Sequence, residues 1–310
     1  MKESVIIVAA DARFFPLLSG LLLSIRSRAQ PTQPEIVLLD IGLTRDQLRT
    51  IENMVTRVID PPWDFVDETS APSWFKAMTV RPHLPAYVPG YEVYVSIDCD
   101  AWVQSWECVE RLIAVAKTGT LAIVEEVYGE EISFFVPSEK GPRLVTCSAE
   151  QVQRNVRQCY ERGFGPEVAR WLGDVPSFNA GVFALSANST TWQIWHDYMA
   201  QGIARGGVHK LIDQQALNLA IRRNEISVTK LPTTYNYVCT HGLPAFDPDR
   251  LLFISPRDGA VIGILHLADV KFAGNVPVRS IPNGEIVHLP LHYLDFLFST
   301  PMFRQRISNT

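Results

Sequence analysis

The segment that most constrains the fold is residues 91–103, YEVYVSIDCDAWV. Its first seven residues alternate β-branched and aromatic side chains with more polar ones, which is typical of a strand. The segment then reaches Asp98 and Asp100, and residues two apart in extended backbone point to the same side. Two carboxylates held close together repel each other, and a divalent cation relieves that repulsion. We therefore interpret Asp98 and Asp100 as metal ligands at the carboxyl end of a strand, where open α/β sheets bind ligands.

The same two aspartates have a purely structural alternative. Asp-x-Asp is a short pattern that arises often by chance. It could form a turn in which Asp100 caps a helix that begins near Gln104. The metal interpretation therefore depends on the hydrophobic strand in front of the motif and on partner motifs elsewhere in the chain.

Composition narrows the class of protein. The 310 residues are 47% hydrophobic and 20% charged, which is ordinary for a soluble globular protein. The net charge of -5 and the absence of a basic run argue against nucleic-acid binding. The apolar stretches at residues 4–10 and 14–25 are too short for a signal peptide and a membrane span, respectively. We expect a cytoplasmic protein with reduced cysteines, and a peripheral membrane contact stays open.

Strand-like and helix-like segments alternate along most of the chain. Strands are predicted at residues 4–9, 35–40, 55–59, 91–97, 121–127, 178–185, 226–231, 251–254 and 261–267. Helices are predicted at residues 15–25, 44–54, 74–84, 106–116, 148–162, 192–199 and 211–221. This order predicts an α/β fold in which a mixed, mostly parallel central sheet is flanked by helices. We expect one domain over residues 1–310, with an irregular insertion at about 128–175 and a short polar C-terminal tail.

Five further motifs accompany the aspartate pair. They are VIIVAAD at residues 5–11, Arg81, FNAGVFALS at 178–186, DQQALN at 213–218 and GILHLADVKF at 263–272. Together they resemble glycosyltransferases of the GT-A fold, the nucleotide-diphospho-sugar transferase fold. They resemble family 8 in particular, the retaining galactosyl- and glucosyltransferases. The resemblance runs from about residue 4 to residue 271 as spaced motifs.

The resemblance implies how the nucleotide end of a donor would be bound. Asp11 matches an aspartate that contacts the nucleotide base, although it could equally cap the helix that follows. Arg81 stands seventeen residues before Asp98, where the family places a basic residue that reaches the donor phosphates. The segment Asp98-Cys99-Asp100 would bind the donor through Mn²⁺ or Mg²⁺ held by its two carboxylates.

The resemblance also implies which residues would bind the sugar of the donor. Asn179, Ala180 and Gly181 would line the sugar pocket. Asp213 would accept hydrogen bonds from sugar hydroxyls, and Gln214 would sit beneath the anomeric carbon; these two are the candidate catalytic residues. Gln215 stands where the family often has a second aspartate, which favours front-face attack over a double displacement.

The last motif departs from the family pattern. His266 matches the histidine that completes the metal site, and Lys271 matches a phosphate-binding lysine. Lys271 lies five residues after His266, where the family has six, and the Pro-Trp pair that normally follows is missing.

The resemblance therefore implies a metal-dependent hexosyltransferase that uses UDP-glucose or UDP-galactose and retains the anomeric configuration. The acceptor, whether carbohydrate, lipid-linked or protein, is not identified by the motifs, and neither are the linkage or the oligomeric state. One alternative is a catalytically silent relative that only binds a nucleotide sugar. Another is a phosphatase like the haloacid dehalogenases, whose Asp-x-Asp normally follows the first strand and precedes small residues. Here Ala101 and Trp102 follow the motif.

Overall fold

The protein was analysed as a computed structural model, which describes residues 2–28, 33–128, 131–136, 143–281 and 283–299. The strands are β1 (Lys2–Ala10), β2 (Glu35–Asp40), β3 (Arg57–Ile59), β4 (Tyr91–Ile97), β5 (Ala101–Val103), β6 (Leu121–Glu125), β7 (Glu131–Val136), β8 (Arg143–Ser148), β9 (Phe178–Ser186), β10 (Val228–Leu231), β11 (Tyr237–Val238), β12 (Ala245–Asp247), β13 (Leu252–Ile254), β14 (Ile264–His266), β15 (Asn275–Ser280) and β16 (Ile286–Pro290). The helices are α1 (Phe15–Arg28), α2 (Arg45–Ile51), α3 (Ser73–Thr79), α4 (Leu84–Tyr87), α5 (Trp106–Ala116), α6 (Ala149–Phe164), α7 (Pro166–Leu172), α8 (Thr191–Gly206), α9 (Ile212–Arg222) and α10 (Tyr293–Ser299).

A seven-stranded sheet in the order β10-β6-β9-β4-β1-β2-β3 forms the centre of the protein. Among its described strands all neighbours pair in parallel except β9, which runs antiparallel to both β4 and β6. The predicted α/β class and the mixed, mostly parallel sheet are therefore confirmed. Because β9 runs antiparallel to β4, the start of β9 lies beside the end of β4, and Ile97 is paired with Val182.

Both faces of the central sheet are covered, which explains the continuous apolar sequence of β1. Side chains alternate between the two faces of a strand. Val5 and Ile7 pack into the core that contains Trp195 of α8, while Ile6 and Val8 pack into the core that contains α1 and α5. A third core lies between the small C-terminal sheet (β13-β12-β15-β16) and α10.

Side chains cap the starts of two helices. Thr44 and Gln47 form a reciprocal capping box at α2, and the Ser148 side chain accepts the Gln151 N–H at the start of α6. In the region of the predicted insertion, β7 and β8 form an antiparallel hairpin that leads into α6. The single-domain assignment stays a prediction, and the polar tail at residues 304–310 lies outside the described residues. None of the described helices has the length and apolarity needed to cross a membrane.

Helix α9 is fastened to the start of β9 by the fully buried side chain of Asn218. Its Oδ1 accepts the Phe178 N–H at 2.7 Å, and its Nδ2 donates to the Phe178 carbonyl at 2.8 Å and to the Gln214 carbonyl at 2.7 Å. The side chain thus bonds both backbone groups of Phe178. This clamp fixes α9 against the strand beside β4.

Removing the clamp should destabilise the protein. We expect Asn218→Ala to lower the free energy of unfolding by about 3 kcal/mol, because it leaves buried backbone groups without hydrogen-bond partners. Urea denaturation followed by tryptophan fluorescence measures the change. The exposed Gln193→Ala in α8 is the control, with an expected effect of about 0.5 kcal/mol or less. Equal stability of the two variants would contradict the clamp.

Candidate active site

Asp98 and Asp100 lie in the turn between β4 and β5. The Asp98 N–H donates to the Gly181 carbonyl at 2.7 Å, and the Leu267 N–H donates to the Asp100 carbonyl at 2.9 Å. The turn is thus tied on one side to the start of β9 and on the other to the end of β14. Asp100 caps no helix, since α5 begins after Ser105 and the Asp100 carboxylate faces other side chains.

His266 completes a cluster with the two aspartates. β14 pairs antiparallel with β5, which places His266 opposite Ala101. One ligand atom each from Asp98, Asp100 and His266 lies within 4.8 Å of the others, and His266 Nε2 lies 3.3 Å from Asp100 Oδ1. Carboxylate oxygens suit Mn²⁺ and Mg²⁺, and an imidazole nitrogen is a ligand for divalent transition-metal ions. The donor set therefore fits a divalent cation.

Two cationic side chains meet the same carboxylates. The Arg81 guanidinium forms ion pairs with both Asp98 and Asp213, and Lys271 Nζ lies 2.9 Å from Asp100 Oδ2. Arg81 stands in the short 3₁₀ turn Arg81–His83, and Asp213 lies in the first turn of α9. The five-residue spacing between His266 and Lys271 still brings both side chains to Asp100.

Burial and neighbouring charge shift the pKa values of the two aspartates in opposite directions. Burial raises the pKa of Asp98 above its usual value, although Arg81 opposes the shift. Burial also acts to raise the pKa of Asp100, but Lys271 and His266 outweigh it and hold that pKa well below its usual value. Asp100 in turn raises the pKa of His266 against the effect of burial. The site is thus strongly polarised around the Asp100 carboxylate.

Gly181 is required by the close approach of these side chains. A Cβ at this position would lie 2.5 Å from His266 Cε1, and 2.9 Å from both Asp98 Oδ2 and Asn179 Oδ1. Atoms at such distances overlap, so only glycine fits between the aspartate turn and His266.

The other predicted sugar-binding residues differ in where they face. Asn179, Asp213 and Gln214 line the cleft next to the aspartates. Ala180 does not: it is fully buried in the core on the other face of β9, and its N–H donates to Gln214 Oε1 at 3.1 Å. Gln215 is also buried and does not line this cleft.

The aspartate turn stands between two pockets. The smaller, about 160 Å³, is lined by aliphatic side chains of β1 and β2 together with Asp11, Trp74 and Cys99. The larger, about 660 Å³, contains Asn179, Asp213, Gln214 and His266 and extends to α6. Both pockets are also lined by Arg81, Asp98, Asp100 and Lys271.

Asp11 serves the capping role that the sequence left open, and it also lines the smaller pocket. Its Oδ1 accepts the N–H groups of Arg13 and Phe14 at 3.0 and 3.2 Å, which caps the 3₁₀ turn Ala12–Phe14. Its Oδ2 accepts the Ser73 hydroxyl at 3.2 Å.

Sequence reasoning missed two residues that support the site. Asn236 Oδ1 lies 2.9 Å from His266 Nδ1, and Glu126 Oε1 accepts the Asn179 side-chain amide at 2.6 Å. Asn236 follows the 3₁₀ turn Thr233–Tyr235 and precedes β11. Both lie outside the motifs. The local signal that marks them is a polar residue next to a strand: Glu126 follows β6, and Asn236 precedes β11.

No protein-family model matches the sequence, and no curated protein matches it. Solved structures do resemble it. The WbbM bifunctional glycosyltransferase, solved in its apo form, is 15% identical with a TM-score of 0.52, covering 100% of this chain and 52% of WbbM. The galactosyltransferase LgtC, in complex with donor and acceptor sugar analogues, is 13% identical with a TM-score of 0.48, covering 84% of this chain and 86% of LgtC.

The chain thus spans about half the length of WbbM. The likeness to WbbM supports the fold, and the GT-A glycosyltransferase fold predicted from the motifs is confirmed. The Asp-x-Asp turn follows β4 and not the first strand, which differs from the haloacid-dehalogenase arrangement.

The close packing at Gly181 leads to a direct test of the cluster. We expect Gly181→Ala to weaken Mn²⁺ binding roughly tenfold or more, because the added methyl group displaces His266 or Asp98. Isothermal titration with MnCl₂ measures the affinity. Gly274→Ala is the matched control, since a Cβ there meets no atom within 4 Å. The interpretation fails if the folded Gly181 variant binds Mn²⁺ as tightly as the control.

Proposed function

We propose that this protein, which has the GT-A glycosyltransferase fold, is a metal-dependent, retaining glycosyltransferase. It moves a hexose from a nucleotide diphosphate sugar, with UDP-glucose or UDP-galactose as the expected donor, to an acceptor hydroxyl. The observation that carries the proposal is the meeting of Asp98, Asp100 and His266 with Arg81 and Lys271 between the two pockets. A negatively charged diphosphate is the chemical group that such a mixed site accommodates.

The diphosphate would lie across the aspartate turn. Asp98, Asp100 and His266 would hold Mn²⁺ or Mg²⁺, which would supply positive charge to offset that of the diphosphate. Arg81 and Lys271 add donors on the same side, and a guanidinium can bond two phosphate oxygens at once. Charge that develops on the leaving group is stabilised by groups that are already in place.

The smaller pocket suits the nucleotide base. Its aliphatic lining from β1 and β2, with Trp74 at one side, offers apolar contact to a flat ring. Asp11 at the pocket wall already accepts three hydrogen bonds from protein groups. A carboxylate has about four lone-pair sites, so Asp11 retains capacity for one donor from the base.

Asn179, Asp213 and Gln214 would orient the donor sugar in the larger pocket. Asn179 Oδ1 already accepts from the Gly181 N–H and from Asn236, so Asn179 offers a sugar its remaining amide hydrogen. Gln214 Oε1 is engaged by the Ala180 N–H, which leaves its Nε2 group for the sugar. These amides bind hydroxyls and are poor nucleophiles.

This arrangement favours front-face attack. Gln214 is an amide and Gln215 lies away from the cleft, so neither supplies the carboxylate that a double displacement requires. Asp213 is paired with Arg81. We propose that the acceptor oxygen bonds to the anomeric carbon on the face that the diphosphate leaves, and that the acceptor proton passes to a phosphate oxygen of the leaving group.

The acceptor would enter through the larger pocket. Besides the residues named above, this pocket is lined by Tyr128, by Gln151 and Asn155 of α6, and by Lys210 and His241. Side-chain amides and an aromatic ring are groups that bind sugars. We therefore propose a carbohydrate acceptor, and LgtC was solved with an acceptor sugar analogue.

UDP release from UDP-glucose and UDP-galactose tests the proposed function. We expect release with Mn²⁺ and none above background in EDTA, and Asp100→Asn should lower kcat/KM at least about a hundredfold because charge stabilisation is lost. The exposed Asp46→Asn on α2 is the control. Equal turnover in EDTA, or full activity of Asp100→Asn, would contradict the metal role. UDP binding without any sugar release would instead identify a silent binding protein.

A further inference from the structure

A continuous chain of hydrogen bonds connects Tyr128 to His266 through Glu126, Asn179 of β9 and Asn236. The Tyr128 hydroxyl donates to Glu126 Oε2 at 2.8 Å, and Asn179 Nδ2 donates to Glu126 Oε1 at 2.6 Å. Asn236 Nδ2 then donates to Asn179 Oδ1 at 2.9 Å, and Asn236 Oδ1 lies 2.9 Å from His266 Nδ1. We call Glu126, Asn179, Asn236 and His266 the amide chain. All four are buried.

The contacts of Asn179 determine which groups donate and which accept hydrogen bonds along the amide chain. The Gly181 backbone N–H, which can only donate, points at Asn179 Oδ1 at 2.9 Å. Glu126 Oε1 accepts from Asn179 Nδ2, which agrees with an amino group at that position. The two contacts agree, so the Asn179 amide has a single orientation that satisfies both ends.

That orientation determines the state of His266. Because Asn179 Oδ1 is an acceptor, the Asn236 group that meets it must be the amino group. The Asn236 carbonyl oxygen therefore faces His266 Nδ1, which must carry a hydrogen to bond it. In a neutral imidazole the lone pair then lies on Nε2, the atom 3.3 Å from Asp100 Oδ1.

We propose that Asn236 is a positioning residue that selects the Nδ1–H tautomer of His266 and so presents Nε2 to the space between Asp98 and Asp100. A lone pair on Nε2 that is directed toward the two carboxylates suits a cation held between them. The inference therefore rests on the metal site of the proposed function. Partners of metal-binding histidines that fix the ring and tautomer typically change metal affinity tenfold to a hundredfold when removed.

A purely structural role for Asn236 makes a different prediction. Any buried polar side chain loses stability when its partners are removed, but only a tautomer-selecting residue changes which His266 nitrogen is protonated. Asn236→Asp keeps an acceptor opposite His266 Nδ1 and loses the donor to Asn179. Asn236→Leu loses both. The two variants separate the acceptor role from packing.

The test combines two measurements on the full chain. The first is ¹⁵N NMR of histidine-labelled protein at a pH where imidazole is neutral, which identifies the His266 tautomer without metal. The second is isothermal titration with MnCl₂. We expect the Nδ1–H form in the unaltered protein and in Asn236→Asp. Asn236→Leu should lose that form and bind Mn²⁺ roughly tenfold to a hundredfold more weakly.

Gln104→Leu is the control for the loss of a buried amide. Gln104 bonds the backbone of Phe253 and Ile262 and touches none of the amide chain, so its variant should lose stability and keep Mn²⁺ affinity. The proposal is overturned if Asn236→Leu retains both tautomer and affinity, or if Asn236→Asp is as impaired as Asn236→Leu.

The His266 tautomer of the unaltered protein tests the proposal separately if the Asn236 variants do not fold. An Nε2–H tautomer of its His266 overturns the proposal directly. An Nδ1–H tautomer in a protein that binds no Mn²⁺ supports the role of Asn236 in tautomer selection and overturns the proposed metal site. The two failures are therefore distinguishable.

Discussion

The repulsion between Asp98 and Asp100 is the constraint on which the site depends. Both carboxylates lie at the end of β4, partly or fully out of water, where like charges interact strongly. Each is balanced by a group from a distant part of the chain: Arg81 at Asp98, and Lys271 with His266 at Asp100. We propose that the same arrangement binds a cation and the phosphates of a donor.

Sheet topology explains how these groups meet. The antiparallel β9 brings Gly181 to the end of β4, and the antiparallel pairing of β14 with β5 brings His266 to Asp100. The order of strands and helices was predictable because hydrophobic periodicity and helix caps, such as the one at Thr44, are local features of the sequence. The direction of β9 was not, because a buried apolar strand has the same local pattern in either direction.

The site could be predicted only where its residues belong to local sequence motifs. The aspartate turn and the FNAG segment were visible as motifs. The side chain of Ala180 lies in the core, since strand alternation puts it on the face opposite Asn179 and Gly181. Asn236 and Glu126 were missed because their importance comes only from long-range hydrogen bonds. The pairing of Arg81 with Asp213 likewise joins residues far apart in sequence.

The central claim is that the aspartate turn holds a divalent cation against a nucleotide diphosphate. Anomalous diffraction from crystals soaked with MnCl₂ and UDP tests it most directly. The account predicts one anomalous peak bonded to Asp98, Asp100 and His266, with phosphate oxygens completing its coordination and the uracil in the smaller pocket. A soaked crystal that shows UDP bound with no anomalous peak among these three side chains would contradict it.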